Sequence, residues 1–180
     1  MIEIRALAEH DLAGAVAIDV SEGGSTVYAM VAGSLEAHDE QWERKRWDDV
    51  RWAEMIETWS KTLQPDVWFG ALVGERMVGL ASLRYCLVDT TAQLTTLHVD
   101  RSHRRQGVAS RLLTAVVDAA EASGATDLYV SSVPSESAVG FYLRHGFEPT
   151  PTPHPALFAL EPEDIHMVRP LFRAGGGQSR

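Results

Sequence analysis

The sequence predicts an α/β fold of the mixed α+β kind, with a mostly antiparallel central sheet, one parallel pair, and helices flanking it. Three observations predict it. Residues 67–73, 77–88 and 93–99 are strand-like runs joined by the short links Gly74-Glu75-Arg76 and Asp89-Thr90-Thr91, as antiparallel hairpins are. The step from 93–99 through a helical pattern over 108–122 to a strand at 127–132 needs a crossover, which places those two strands parallel. Two amphipathic helical patterns, one before and one after the hairpins, supply apolar faces to cover the sheet.

Taken in order, residues 2–5 alternate and predict a short first strand. Residues 11–20 carry Leu12, Val16 and Ile18 and predict a weak helix, and 21–34, rich in Gly and Ser, predict a loop. The stretch 36–63 holds Trp42, Trp47, Trp52 and Trp59. Within it Trp52, Met55, Ile56, Trp59 and Leu63 recur on one helix face, and Pro65 stops that helix. A stripe of large aromatics predicts core. Trp42 and Trp47 fall outside it and are the better candidates to wall an acceptor pocket.

After the three hairpin strands, Leu112, Leu113, Val116, Val117 and Ala120 fix the helix over 108–122, with Gly124 placed to cap it. Residues 136–145 predict a further helix ended by Gly146. Prolines at 149, 151, 153 and 155 exclude a central strand over 147–155 and predict an edge or extended loop. Residues 164–171 predict the last strand. The whole reads as one domain over 1–172, with a disordered tail over 173–180.

The chain carries a formal net charge of −9, which disfavours phosphate backbones and hence nucleic acid as a partner. No apolar run is long enough to span a bilayer, so no membrane partner is expected. A single cysteine, Cys86, excludes an internal disulfide and fits a reducing, cytoplasmic setting; as a strand residue Cys86 is expected buried. Within this acidic chain Arg101, Arg104, Arg105 and Arg111 form a basic island.

That island lies where a strand passes into a helix, in Leu97-His98-Val99-Asp100-Arg101-Ser102-His103-Arg104-Arg105-Gln106-Gly107-Val108-Ala109. The first turn of a helix offers unpaired N–H groups and the positive end of a dipole, and Gly107 lets a ligand approach the backbone. Such a turn suits a diphosphate. A second segment, Ser135-Glu136-Ser137-Ala138-Val139-Gly140-Phe141-Tyr142-Leu143-Arg144-His145-Gly146-Phe147, follows the next strand.

Together these segments resemble the signatures of the GNAT superfamily of acetyl-CoA-dependent N-acetyltransferases. Arg104, Gly107 and Ala109 fill the fixed places of its pyrophosphate loop, and Ala138, Phe141, Tyr142, Gly146 and Phe147 those of its second signature. The likeness extends more loosely over 2–171. It implies a GNAT-like acyl-CoA N-acyltransferase fold and transfer of an acetyl group from acetyl-CoA to a small-molecule or protein amine by direct attack. No metal is expected, and the chain is expected as a monomer or homodimer. The likeness implies coenzyme contacts at Leu97, His98, Val99, Arg104, Arg105, Gln106, Gly107, Val108, Ala109, Ser110, Ser135, Ala138, Phe141 and Tyr142, with Tyr142 as general acid toward the departing thiolate.

Two positions depart from the family pattern. Ser135 stands where relatives have Asn, and Gln93 where many have the glutamate that serves as base. An amide takes up no proton at neutral pH. Gln93 is therefore expected to position water, with Thr95 as its partner in a water chain. His98, Asp89 and Tyr85 remain as possible bases, although strand alternation puts His98 on the face opposite Gln93, Leu97 and Val99. The family's early helices would line the acceptor pocket. Here they carry Glu36, Asp39, Glu40, Glu43, Asp48 and Asp49, which suit a cationic acceptor or a plain solvated face. A GNAT-like module that senses acyl-CoA without turnover is the alternative. Metal chemistry through His98, Asp100 and His103 lacks a ligand spacing.

Overall fold

A computed structural model describes residues 1–171; Phe172 and the segment 173–180, expected as a tail, lie outside the described residues. The chain begins with β1 (Ile2–Leu7), a 3-10 helix (Glu9–Ala17), β2 (Glu22–Val31), β3 (Ser34–Arg44) and α1 (Asp49–Thr62). Next come β4 (Val67–Val73), β5 (Arg76–Val88), β6 (Thr91–Val99), α2 (Val108–Ala122) and β7 (Asp127–Ser132). It continues with α3 (Glu136–Arg144), β8 (Glu148–Pro149), α4 (Pro155–Leu160) and β9 (Ile165–Pro170). Seven strands form one sheet in the order β1-β4-β5-β6-β7-β9-β8, with β6 and β7 its parallel pair.

Each face of this sheet has its own core. Leu112, Leu113 and Val116 of α2 and Val139 and Tyr142 of α3 pack with Leu83, Leu94, Leu128, Val130 and Met167 on one face. Gly79 of β5 permits close approach there, because a Cβ on it would meet Leu112 Cδ1 at 2.9 Å and Val108 Cγ1 at 3.1 Å. On the other face Leu12, Ala15 and Ile18 of the first turn region and Trp52, Trp59 and Leu63 of α1 pack on Leu80 and Tyr129. Asp48 caps α1 by accepting the Arg51 N–H at 2.8 Å.

Several expectations need correcting. The stretch expected as a loop over 21–34 is mostly strand. β2 and β3 form a separate two-stranded hairpin turning at Ala32 and Gly33, both with positive φ (48° and 85°), the geometry tight hairpins prefer. Glu36, Asp39, Glu40 and Glu43 therefore lie on β3, not on a helix, and are exposed. The weak helix expected over 11–20 is the 3-10 helix Glu9–Ala17. Trp47 joins the second core, against Trp52 at 5.0 Å between ring centres. Cys86 is exposed, because β5 runs on past the start of β4 and loses its cover. The edge over 147–155 is there as β8, followed by α4 over residues that carried no helix expectation.

Candidate active site

The site lies where the parallel pair comes apart. β6 and β7 pair only at Thr91–Asp127, Ala92–Leu128 and Gln93–Tyr129. Beyond Gln93 β6 runs on to Val99, and beyond Tyr129 β7 runs on to Ser132, without pairing to each other. The two strands thus leave a wedge whose β6 wall over 94–99 pairs with β5 on one edge and has no β7 partner on the other. Such a wall accepts an extended ligand as an added strand.

A bulge in β6 sets which side chains face where. Ser82 pairs Thr96 while Leu83 pairs Leu94, so Thr95 is the extra residue. Leu94 and Leu97 consequently share the α2 face although three residues apart, and the alternation is reset between them. This overturns the expected opposition of His98 and Gln93. Gln93 lies beside Tyr129, and His98 beside Leu80, both on the α1 face. Thr95 is bound to Ser82 Oγ at 2.6 Å rather than to Gln93. Gln93 is 1% exposed, and its Oε1 has no hydrogen-bond donor.

His98 is enclosed by three tryptophans, stacked on Trp59 at 5.1 Å and edge-on to Trp52 at 5.7 Å. Loss of water, then the positive charges of Arg44 and Arg104, push its imidazole down to about 3. His98 is neutral at physiological pH. Asp89 and Tyr85 sit at the opposite end of β6, beside the closed end of the wedge where Thr91 pairs Asp127.

At the α2 end, Gly107 adopts φ 79° with open space where a Cβ would stand. The first helical bond runs from Arg111 N–H to the Gly107 carbonyl at 3.0 Å, so the N–H groups of Val108, Ala109 and Ser110 point out of the turn without a helical acceptor. Arg104 does not extend over this turn. Its Nε donates to the Val99 carbonyl at 3.3 Å, an Nη donates to the Ser21 carbonyl at 3.1 Å, and Glu22 lies 3.6 Å away. Arg44 grips the same Glu22 at 2.9 Å. Gln106 donates to the Ser102 carbonyl at 2.9 Å, and Arg105 is exposed. The turn is held from below by Asp100. Burial would raise its pKa, but donors from Asp19 N–H, Ser102 and His103 outweigh that and hold it well below the carboxylate range. Arg76 adds an ion pair at 3.1 Å.

Across the wedge, Ser135 caps α3 by accepting the Ala138 N–H at 3.3 Å. Ala138 and Phe141 are partly buried on the same core. Ser110 and His145 Nε2, 3.0 Å apart, tie the start of α2 to the end of α3. Tyr142 packs edge-on against Phe147 at 5.3 Å and is 7% exposed. Among the described residues its hydroxyl has no hydrogen-bond partner. Burial first, and then the Asp164 charge, raise its pKa.

Asp164 and Glu161 carried no sequence expectation, since two carboxylates in so acidic a chain stand out by no spacing. The turn between α4 and β9 brings them together beside β7. The proposed trio of His98, Asp100 and His103 does not converge: His103 bonds Asp100 at 3.0 Å, while His98 lies within the tryptophan cluster. Trp42 lines an open cleft of about 590 Å³ with Glu22, Gly24, Gln41, Arg44 and Arg101.

Comparison with known proteins agrees with this geometry. Residues 27–147 match the model of the acetyltransferase (GNAT) family. The fold is similar to that of nourseothricin acetyltransferase, with TM-score 0.73 and 21% identity over 95% of this chain and 99% of that one. It is also similar to a Bacillus anthracis protein assigned as a streptothricin acetyltransferase, in complex with acetyl coenzyme A, with TM-score 0.69 and 17% identity over 93% and 96% of the two chains. A third similar structure is the ribosomal-protein-S18-alanine N-acetyltransferase of Escherichia coli, with TM-score 0.61 and 19% identity over the full length of both. At these identities the likeness is one of fold.

Proposed function

The chain belongs to the GNAT acetyltransferase family and is an acyltransferase, and from that premise we propose that it carries an acetyl group from acetyl-CoA to an amine by direct attack within the wedge between β6 and β7. One observation supports this most: the wedge runs from three unpaired N–H groups at the α2 turn to the unpartnered hydroxyl of Tyr142. The ends of this path suit the diphosphate and the thioester of acetyl-CoA.

In this reading the diphosphate lies on the N–H groups of Gly107, Val108, Ala109 and Ser110, where the helix dipole adds to the attraction. Arg104 acts by fixing the turn to β2 and β6, leaving Arg105 to meet phosphate oxygens. The pantetheine pairs with β6 backbone from Leu97 through His98 to Val99. Ser135 contributes by capping α3, and Ala138 and Phe141 by walling the thiol end. Gln93 presents its free Oε1 to an ordered water. Tyr142 gives its proton to the departing sulfur; its raised pKa keeps it protonated until then. His98, neutral and boxed in by tryptophan, acts through its backbone alone.

The reaction is tested by release of free thiol from acetyl-CoA with a panel of amines. The panel is spermidine, an aminoglycoside, a lysine peptide and a streptothricin, the compound after which one of the similar structures is named. Amine-dependent thiol release supports the reading. Acetyl-CoA binding without release by any of them leaves a sensing module instead.

A further inference from the structure

Resting on that reading, one proton still needs a destination: the acceptor arrives as an ammonium and must attack as a free amine. The geometry points to Asp164 as the base that receives this proton, with Glu161 beside it as counter-charge for a cationic acceptor.

Asp164 immediately precedes Ile165, which pairs with Ser132, the last residue of β7. It therefore stands beside the end of β7 whose other edge borders the open wedge. Its N–H donates to the Glu161 carbonyl at 3.2 Å, closing a turn that carries both carboxylates. Asp164 is half-buried, yet among the described residues its carboxylate has neither a hydrogen-bond donor nor an ion-pair partner. A desolvated, unpaired carboxylate is costly unless a cation completes it. Independently, Tyr142, 7% exposed and with its hydroxyl equally unpartnered among the described residues, lies within reach of the Asp164 charge. A proton donor for sulfur and an acceptor for nitrogen thus border the same space.

The neighbours tune Asp164 rather than neutralise it. Burial, and then the Glu161 charge, push it up to about 7, where a base works best near neutrality. The titratable groups near it are Glu161 on its own turn and Tyr142 from α3; Glu161 accepts a hydrogen bond from Ser131 and neighbours Tyr129 of β7 and His166 of β9. His166 Nε2 donates to the Glu161 carbonyl at 3.1 Å, and its Nδ1 accepts the Tyr129 hydroxyl at 2.7 Å. Burial lowers the His166 pKa, so it supplies no cation.

The protons balance. Asp164 takes one from the ammonium, and the free nitrogen bonds to the thioester carbon. The C–S bond breaks with its electron pair on sulfur, which takes the Tyr142 proton. The second nitrogen proton restores Tyr142, and Asp164 returns its proton to solvent.

The test is kcat/KM against pH for the full chain and for Asp164→Asn and Glu161→Gln, with spermidine, kanamycin and a lysine peptide as probe amines. The wild type should show an acid limb near pH 7. Asp164→Asn should lose that limb and at least ~100-fold of activity at neutral pH, while calorimetry finds acetyl-CoA affinity unchanged. Glu161→Gln should move the limb to lower pH, because a like charge has gone. Should Asp164→Asn fail to fold, the Glu161→Gln limb decides. An active Asp164→Asn enzyme, or a limb that Glu161→Gln leaves in place, overturns the assignment of Asp164 while the acetyltransferase reading stands. No turnover of any of the three amines overturns the cationic acceptor. A wild type that binds no acetyl-CoA overturns both readings.

Discussion

Surroundings set what Tyr142 and His98 can each do. The Tyr142 hydroxyl has no partner among the described residues, so removing its oxygen breaks no internal bond. Tyr142→Phe should lower kcat more than tenfold, at least ~1.4 kcal/mol on the barrier, with little change in acetyl-CoA affinity. Steady-state kinetics beside calorimetry checks both. His98 acts on stability instead. Its folded pKa is depressed to about 3 against an ordinary 6.5, so the unfolded chain binds its proton first as pH falls. Stability from this group is whole above pH 6.5 and drains away as pH falls toward 3. Between neutral pH and pH 5 the wild type should lose up to ~2 kcal/mol that His98→Gln does not, read from urea midpoints at both pH values.

At the scale of elements, the α2–β5 contact carries both stability and site geometry. Gly79→Val would drive a side chain into Leu112 and Val108, the latter in the turn proposed to hold phosphate. It should cost ~1–3 kcal/mol and also weaken acetyl-CoA binding, measured by thermal denaturation with and without the ligand. α2, α3 and β4 to β7 were legible because each buries a full face with a clean period or a sharp turn signal. The β2–β3 hairpin was not. Gly23, Gly24 and Ser25 weaken the strand signal, and acidic β3 buries almost nothing. Nor was the bulge at Thr95, whose cause is a pairing register rather than a residue type. That single residue reversed the facing of His98. The two signatures located the α2 turn and Tyr142. They left out Asp164, whose proposed role depends on the α4–β9 turn.

For the whole molecule, the sheet is a frame that closes the parallel pair at one end and opens it at the other. Everything proposed of the site depends on acetyl-CoA entering that opening with its diphosphate on the α2 turn. Titration calorimetry with acetyl-CoA, on the wild type and on Gly107→Val, tests this most directly. The positive φ of Gly107 and the free space beside it leave valine strained and in the ligand's path. The account predicts one site per chain in the wild type and a loss of ~100-fold or more in Gly107→Val, the scale of several charge-assisted hydrogen bonds. No heat with millimolar acetyl-CoA, or equal binding by both proteins, would contradict it.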